Sequence, residues 1–414
     1  MSGDVTSTPV LTFTPEFKTH SPRRLAELRA LGPVHRAQLP SGLQAWMVLS
    51  EQEARRALTH PALRKDASPA EEALAAVGFT TNRPGVGLGG NMLESDPPAH
   101  TRLRRLVAGA FSPARTQQLA PRIQQIADEL LDAMGDEVDL VEAYNAPLPI
   151  AVISELLGVP EHDRHHFREW TAAALSPPSD AQRAGALSLN RYMSDQIQLR
   201  LTEPSPDLER RRAERGDDLL SALVEARLRG DEALSDEELL GTAVLLVVAG
   251  HETTVNLLGT IMVSLLRRPD QADLLRARPE LMPGAVEEFL RFDPSVEQTT
   301  MRYAAEDLDL GGTRIRRGDV VVVMLGSASR DIVQRDGGDP DVLDVAREGA
   351  RHLAFGYGIH HCLGAPLARL EARIAIASLL RRFPELRPAV PLDEVPWIPA
   401  GIMRGPRSLP VRLR

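Results

Sequence analysis

The longest periodic stretch of the chain runs from Ser235 to Arg268 and follows the spacing of an α-helix. Ser235 and Glu238 form a capping-box pattern at its start, and Pro269 ends it. At 1.5 Å per residue this pattern predicts a helix of roughly 50 Å, long enough to cross a whole domain. The dominant element is therefore a long central helix.

Shorter patterns complete the predicted fold. Helical patterns cover residues 99–110, 121–134, 282–292 and 363–382, and Ser50 with Glu53 predicts another capping box after a strand at 44–50. Between 299 and 325, β-branched runs are separated by Gly311-Gly312 and by a second turn at 317–319, which indicates hairpins. The sequence predicts a mainly α-helical protein with small β-sheets. No linker divides residues 1–414, so we expect one domain, with a flexible segment at 1–20.

A loop rich in glycine, proline and asparagine follows the first helices, from Gly78 to Pro98. A connection of this length without its own secondary structure is usually functional. We interpret it as a candidate substrate lid.

Composition excludes several classes of function. The net charge of −9 argues against a nucleic-acid-binding surface, and the single cysteine excludes an internal disulfide and a zinc site of several cysteines. The N-terminus has no signal-peptide pattern, and the apolar run at 242–250 is too short to span a bilayer. We expect a cytoplasmic protein without a membrane anchor.

The single cysteine, Cys362, lies in the segment FGYGIHHCLG. An isolated cysteine is often an inert small apolar residue. Here Gly356 and Gly358 permit a tight turn, and the helix expected from Leu363 favours a thiolate at its N-terminus. With His360 or His361 as a base, local chemistry leaves two candidates, a haem-thiolate site and a cysteine nucleophile.

A polar interruption of the long helix, AGHETT, spans residues 249–254. Leu245, Ala249 and Thr253 share one helix face. The simplest interpretation is a polar kink in which the threonine hydroxyl bonds back to a carbonyl. A zinc motif is excluded because Val255 stands where a second histidine is needed.

The cysteine segment resembles the haem-binding loop of the cytochrome P-450 family, Phe-Gly-x-Gly-x-His-x-Cys-x-Gly, at every fixed position. The resemblance implies that Cys362 is the axial ligand of haem iron and that Phe355 packs beside its sulfur. Gly356 and Gly364 would let the porphyrin approach the backbone. It also implies the triangular family fold with the long helix over the haem.

The AGHETT segment resembles the oxygen-binding groove of the same family. On that resemblance Ala249 lies against the haem, Thr253 holds dioxygen and a water, and Glu252 relays protons. Glu288 and Arg291 match the family's buried structural pair. The implied partners of the haem propionates are His100, Arg104, Arg302 and His360.

Further expectations follow from the resemblance. Haem b, O2 and electrons from NAD(P)H are implied, delivered through a separate reductase and a ferredoxin to a monomeric enzyme. A basic patch for the ferredoxin is expected at Arg102, Arg105, Arg369 and Arg373. Independently of the resemblance, the polar segment around the histidines at 162, 165 and 166 indicates that they are solvent-exposed. Substrate contacts are expected at Leu93, Leu245, Val248, Ala249, Val296, Gln298, Ile402 and Met403.

The predicted function is a haem-thiolate monooxygenase that hydroxylates or epoxidises a hydrophobic small molecule. The chain resembles family members that tailor polyketides and macrolides, while steroids, terpenoids and fatty acids stay open. Three alternatives remain: a haem-thiolate enzyme of another reaction type, such as a peroxygenase or a rearranging catalyst; a cysteine-nucleophile transferase; and a non-catalytic haem carrier or sensor.

Overall fold

The structure, a computed structural model, describes residues 11–78, 90–174, 179–202, 218–228 and 234–414. Over these ranges the chain is mainly helical. The α-helices are α1 Pro15–Thr19, α2 Ser21–Leu31, α3 Glu51–Thr59, α4 Glu71–Ala76, α5 Ala99–Ala108, α6 Pro113–Gln118, α7 Ala120–Asp132, α8 Pro147–Leu156, α9 Arg164–Ala174, α10 Asp180–Thr202, α11 Leu219–Leu228, α12 Asp236–Arg267, α13 Pro269–Ala277, α14 Met282–Phe292, α15 Leu325–Arg335 and α16 Ala365–Arg382. The strands are β1 Leu11–Thr12, β2 Val34–Gln38, β3 Gln44–Val48, β4 Leu63–Arg64, β5 Glu137–Asp139, β6 Arg302–Ala304, β7 Leu308–Leu310, β8 Thr313–Ile315, β9 Val320–Val323, β10 Arg387–Pro388 and β11 Pro410–Arg412.

The first of two compact units comprises Met1–Thr81, Asn256–Cys362 and Phe383–Arg414. Its main sheet has the order β1-β2-β3-β9-β6-β4. Strand β9 runs parallel to β3 and antiparallel to β6, and all four of its valines are buried. A continuous apolar strand of this kind is typical of a sheet covered on both faces. The predicted hairpin at Gly311-Gly312 is confirmed as the pair β7–β8.

The described part of the segment expected to be flexible, residues 11–20, contains regular elements. Strand β1 pairs in parallel with β2, and helix α1 buries Phe17 and Lys18. Phe13 and Phe17 join the apolar cluster beneath the main sheet, with ring centroids 4.8 Å apart. Burial of two phenylalanines supplies the free energy that orders this segment.

The second unit comprises Asn82–Val255 and Leu363–Arg382, and the part of it that the structure describes is almost entirely helical. Helix α16 packs beside α7 and the turn before α8. The Tyr144 hydroxyl donates to the Ala375 carbonyl oxygen at 3.0 Å, and the Gln124 amide donates to the Ser378 hydroxyl at 2.8 Å. These bonds satisfy polar groups that burial would otherwise leave unpaired.

The long helix α12 confirms the sequence prediction at both ends. The Ser235 backbone N–H donates to the Glu238 carboxylate at 2.9 Å, and the Glu238 N–H donates to the Ser235 hydroxyl at 3.1 Å. The helix ends at Arg267, and Pro269 begins α13. Among the described residues, α12 alone is long and apolar enough to cross a membrane, but 72% of its most apolar window is buried. It is therefore packed as a core helix.

The second predicted capping box does not form. Ser50 precedes α3, but its side chain makes no capping bond, and Glu53 instead binds Arg56 at 2.8 Å. The Glu51 N–H donates to the Asp331 carboxylate at 2.9 Å. A carboxylate that is distant in sequence has replaced the local serine as the cap.

Candidate functional site

The cysteine loop, residues 355–362, is closed by its own backbone. The Cys362 N–H donates to the Phe355 carbonyl oxygen at 2.8 Å, and the His361 N–H donates to the Gly358 carbonyl oxygen at 3.1 Å. Gly356 and Gly358 have φ values of 73° and 75°. A Cβ on Gly358 would lie 3.1 Å from the Leu58 carbonyl oxygen, and together with the positive φ this close approach favours glycine there. The loop presents the Cys362 side chain as an exposed thiol.

Helix α16 begins later than the sequence indicates. It starts at Ala365 rather than Leu363, and the Ala368 N–H donates to the Gly364 carbonyl oxygen at 3.0 Å. Cys362 thus lies just ahead of the helix N-terminus instead of on its first turn. A Cβ built on Gly364 would meet nothing within 4 Å, so the backbone beside the thiol is open to a flat group.

His352, which sequence reasoning missed, supports the start of the cysteine loop. The Ala354 N–H donates to its Nδ1 at 3.2 Å, so the proton lies on Nε2, which donates to Glu287 at 3.1 Å. The His352 ring lies 5.7 Å from that of Phe355. Its position ten residues before Cys362 could have suggested a role in the loop. Its partner Glu287 is 65 residues away, so no local sequence pattern indicated the pairing.

Glu288 and Arg291 form the buried pair that the sequence predicts. The Arg291 Nε and Nη2 atoms donate to the two Glu288 oxygens at 2.7 and 2.9 Å, and both side chains are completely buried. Arg347 adds a second cation at 3.1 Å from Glu288. Arg291 also donates to the carbonyl oxygens of Pro340 and Val342. The network fixes the segment 340–347 to α14.

Two further predicted haem-binding residues lie in the first unit. Arg302 is buried on β6, where its Nη1 donates to the Leu63 carbonyl oxygen at 3.2 Å. His360 is half-buried in the short helical turn Gly358–His360 of the cysteine loop. Arginine and histidine are suitable donors to a carboxylate.

The face of α12 in the second unit differs from the rest of the helix. Residues 243–247 and 254–265 are buried, whereas Ala249 is exposed and Val248, Glu252 and Thr253 are half-buried. The Thr253 hydroxyl donates to the Ala249 carbonyl oxygen at 2.5 Å. The back-bonding threonine inferred from the segment alone is confirmed. A small residue, an acid and an alcohol thus share an accessible face.

The opposite side of α12 is tightly packed. A Cβ on Gly250 would lie 3.2 Å from the Ile153 side chain, so this glycine lets α8 approach closely. His251 is buried, and its desolvation lowers its pKa to about 4. The imidazole is therefore neutral near pH 7.

His100 and Arg104 lie on α5, as predicted, with His100 buried and Arg104 half-buried. Arg102 departs from the predicted basic patch, because its guanidinium forms an ion pair with Glu238 at the start of α12. This pairing neutralises it and ties α5 to α12. The half-buried Arg369 and Arg373 and the exposed Arg105 complete the predicted set.

The structure brings some predicted substrate contacts together. Val296 and Met403 form an antiparallel bridge, and the Glu297 N–H donates to the Ile402 carbonyl oxygen at 3.0 Å. Gln298 bridges to Met324. In the second unit Leu245 is buried and Leu93 is half-buried. Of the predicted lid, residues 79–89 lie outside the described residues.

The potential metal ligands among the described residues suit a metal ion that is bound within a prosthetic group. Among the described residues, no three His, Cys, Asp or Glu side chains lie close enough to hold a bare ion. The histidines at 162, 165 and 166 are exposed, as predicted. A single accessible thiol is a soft donor, and one protein ligand suffices where a porphyrin supplies the others. The open backbone at Gly364 agrees with haem.

Comparison with known proteins shows the family. A sequence model described as Cytochrome P450 matches residues 186–394. The cytochrome P450 monooxygenase PikC of Streptomyces venezuelae is 46% identical over 398 residues, covering 94% of this chain and 90% of PikC. The solved structure of the P450 monooxygenase TamI with tirandamycin C has a TM-score of 0.85 and 42% identity, covering 98% of this chain and 100% of TamI. That of PksS, from the bacillaene polyketide synthase of Bacillus subtilis 168, has a TM-score of 0.85 and 36% identity over 97% and 99% of the two chains.

The chain belongs to the cytochrome P-450 family and has its mainly helical fold with small sheets. It is a monooxygenase that uses haem and O2 to insert oxygen into a small molecule. These findings exclude the cysteine-nucleophile transferase and the non-catalytic carrier. The single-domain assignment stays a prediction.

Proposed function

We propose that this enzyme hydroxylates or epoxidises a hydrophobic polyketide or macrolide. Most of the residues expected to contact the substrate are apolar, which favours a ligand with a large apolar surface. PksS, a relative of similar fold, belongs by name to a polyketide synthase. Steroids, terpenoids and fatty acids are the competing substrates.

The exposed thiol of Cys362 on its closed glycine loop carries this proposal. Cys362 would hold the haem iron, with Phe355 beside the sulfur and with Gly356, Gly364 and Ala249 leaving room for the porphyrin. When bound, haem activates dioxygen, and thiolate ligation favours O–O cleavage. The residues proposed to bind the propionates are His100, Arg104, Arg302 and His360.

Thr253 and Glu252 would handle the protons of the reaction. The Thr253 hydroxyl gives its own proton to the Ala249 carbonyl, so its oxygen is left to accept a hydrogen bond from a water or a protonated oxygen. Glu252, half-buried beside it, would exchange protons with solvent. An acceptor and a relay at adjacent positions match a reaction that consumes protons.

In keeping with the family, electrons would come from NAD(P)H through a ferredoxin reductase and a ferredoxin. Arg105, Arg369 and Arg373 are the cations proposed for an acidic ferredoxin. We place the enzyme in the cytoplasm as a monomeric single domain.

The test is a spectral screen followed by product analysis. Holoenzyme is titrated with macrolides, linear polyketides, steroids and fatty acids while the haem spin state is monitored. We expect polyketides or macrolides to give the low- to high-spin shift, and their products to contain oxygen from labelled O2. A shift with steroids or fatty acids alone would contradict the substrate class, and unlabelled products would contradict oxygen insertion.

A further inference from the structure

Lys18 and Lys65 are the only lysines among the 48 lysine and arginine residues of the chain. Their relative exposures are 3% and 8%, so neither serves as an ordinary surface charge. Lysine is among the residues that are least often buried, because its ammonium is strongly hydrated. The burial of both lysines therefore requires a reason at each position.

Lys18 binds two segments that are far apart in sequence. Its Nζ donates to the Glu297 carboxylate at 2.5 Å and to the carbonyl oxygens of Gly401 and Met403 at 3.2 and 3.0 Å. Burial alone would raise the pKa of Glu297, but the charges of Lys18 and Arg404 lower it below its usual value. The carboxylate is thus kept ionised beside the ammonium.

Lys65 binds the same stretch of chain a few residues further on. Its Nζ donates to the hydroxyl of Thr300, to the carbonyl oxygen of Thr300 at 3.4 Å and to that of Met301 at 2.9 Å. These acceptors precede β6, which begins at Arg302. Together the lysines hold this stretch at both ends.

The segments they hold form one continuous wall, residues 295–301 with 401–404. The Arg404 N–H donates to the Ser295 carbonyl oxygen at 2.8 Å, and Val296 bridges to Met403. The wall thus carries four of the proposed substrate contacts. These are Val296, Gln298, Ile402 and Met403.

The choice of lysine over arginine has a geometric reason. At both positions the acceptors include backbone carbonyls that converge on one nitrogen, which suits a compact ammonium with three donors. Where the chain buries arginine, as at Arg291, a carboxylate accepts its planar fork. A guanidinium at 18 or 65 would present donors in one plane and occupy more space.

We propose that Lys18 and Lys65 are positioning residues that set the shape of the substrate-facing wall. The inference rests on the proposed function, because that proposal places Val296, Gln298, Ile402 and Met403 against the substrate. The lysines act through the backbone of the wall and do not touch the reacting atoms.

The first test compares two probes that bind haem iron through the same type of nitrogen. Imidazole is small, whereas 4-phenylimidazole carries a phenyl ring that would reach further from the iron. The variants are Lys18→Met and Lys65→Met, with Lys18→Arg to retain the charge and Arg24→Met, an exposed cation of α2, as the matched control. Dissociation constants come from the spectral shift of nitrogen ligation.

We expect the Kd of 4-phenylimidazole to rise about tenfold in both methionine variants and in Lys18→Arg, and that of imidazole to stay within about twofold. Arg24→Met should match the parent for both probes. Unchanged 4-phenylimidazole binding, an equal loss for both probes, or full rescue by Lys18→Arg would overturn the inference. Absence of any nitrogen-ligation shift in the parent enzyme would instead overturn the proposed function.

A second measurement needs no variant. Holoenzyme is treated with an amine-acetylating reagent, and the rate at each lysine is read by peptide mass analysis against the chain unfolded in guanidinium chloride. We expect both lysines to react about 100-fold more slowly in the folded enzyme, and about tenfold more slowly again with bound 4-phenylimidazole but not imidazole. A rate that 4-phenylimidazole leaves unchanged would overturn the inference.

Discussion

The Thr253 hydroxyl donates a 2.5 Å hydrogen bond to the carbonyl oxygen of Ala249, one turn earlier on α12. This bond fixes the direction of the hydroxyl proton, so the side chain meets the accessible face of the helix as an acceptor. Ala249 is exposed on the same face. The back-bond of Thr253 is a common local feature of helices. Here it leaves the hydroxyl oxygen suitably placed to hold a protonated oxygen or a water.

Replacement of Thr253 by alanine should uncouple electron use from product formation. Without the acceptor oxygen, the water or protonated oxygen that Thr253 would hold has no hydrogen-bond partner there. Proton delivery would then be misdirected, and we expect product per NAD(P)H oxidised to fall about tenfold or more. The measurement is product yield against NAD(P)H consumption with an identified substrate. Thr253→Ser, which keeps the hydroxyl and its bond to Ala249, is the control. Unchanged coupling in Thr253→Ala would contradict the role.

Loss of the Glu288 charge should destabilise the fold strongly. Glu288→Gln leaves the buried Arg291 and its neighbour Arg347 without their carboxylate, which costs about 3–5 kcal/mol. The measurement is the free energy of unfolding by denaturant. The matched control, Glu280→Gln, removes the exposed carboxylate that pairs with Arg278 and should have no measurable effect. Equal unfolding free energies for Glu288→Gln and Glu280→Gln would show that the buried network does not stabilise the fold.

His251 should make stability depend on pH in a defined window. Its pKa is about 4 in the folded chain, against 6.5 for the free side chain, so the unfolded chain binds the proton first as the pH falls. The stability that depends on neutral His251 is full above about pH 6.5 and decreases from there toward pH 4. Between pH 7 and 5 the loss is about 2 kcal/mol.

His251→Gln should therefore flatten the fall in unfolding free energy between pH 7 and 5, which denaturant titrations at the two pH values measure. His165→Gln, which alters an exposed histidine of α9, serves as the control and should retain the parent slope. A parent-like slope in His251→Gln would show that another group causes the loss.

The tight turn of the cysteine loop should tolerate no side chain at Gly358. This residue has φ +75°, and a Cβ would lie 3.0 Å from Thr59, so Gly358→Ala strains the loop by about 1–3 kcal/mol. We expect lower haem content and a weaker thiolate-type spectrum. Gly284→Ala on α14, where a Cβ meets nothing within 4 Å, is the control and should retain full haem content. Full haem content in Gly358→Ala would contradict the loop geometry.

Sequence patterns predicted the local features and missed those that depend on distant partners. The same capping pattern formed at Ser235 and Glu238 but not at Ser50 and Glu53, because Asp331 caps α3 instead. The periodicity of α12 and the glycine spacing of the cysteine loop are local patterns, so the sequence predicted both the helix and the turn.

The supporting groups were hidden for the same reason. Lys18 and Glu297 are 279 residues apart, and His352 and Glu287 are 65 apart. No local sequence pattern predicts either of these two pairings. The strand and helix within residues 11–19 were also not predicted, because they depend on packing of Phe13 and Phe17 beneath a sheet whose strands are dispersed along the chain.

The most direct test of the thiolate site is the absorption spectrum of the reduced protein under carbon monoxide. Ligation of haem iron by Cys362 predicts the strongly red-shifted Soret band of a thiolate-bound haem, and its loss in Cys362→His. A Soret band at the shorter wavelength of histidine-ligated haem in the parent protein, or a thiolate-type band that survives Cys362→His, would contradict it.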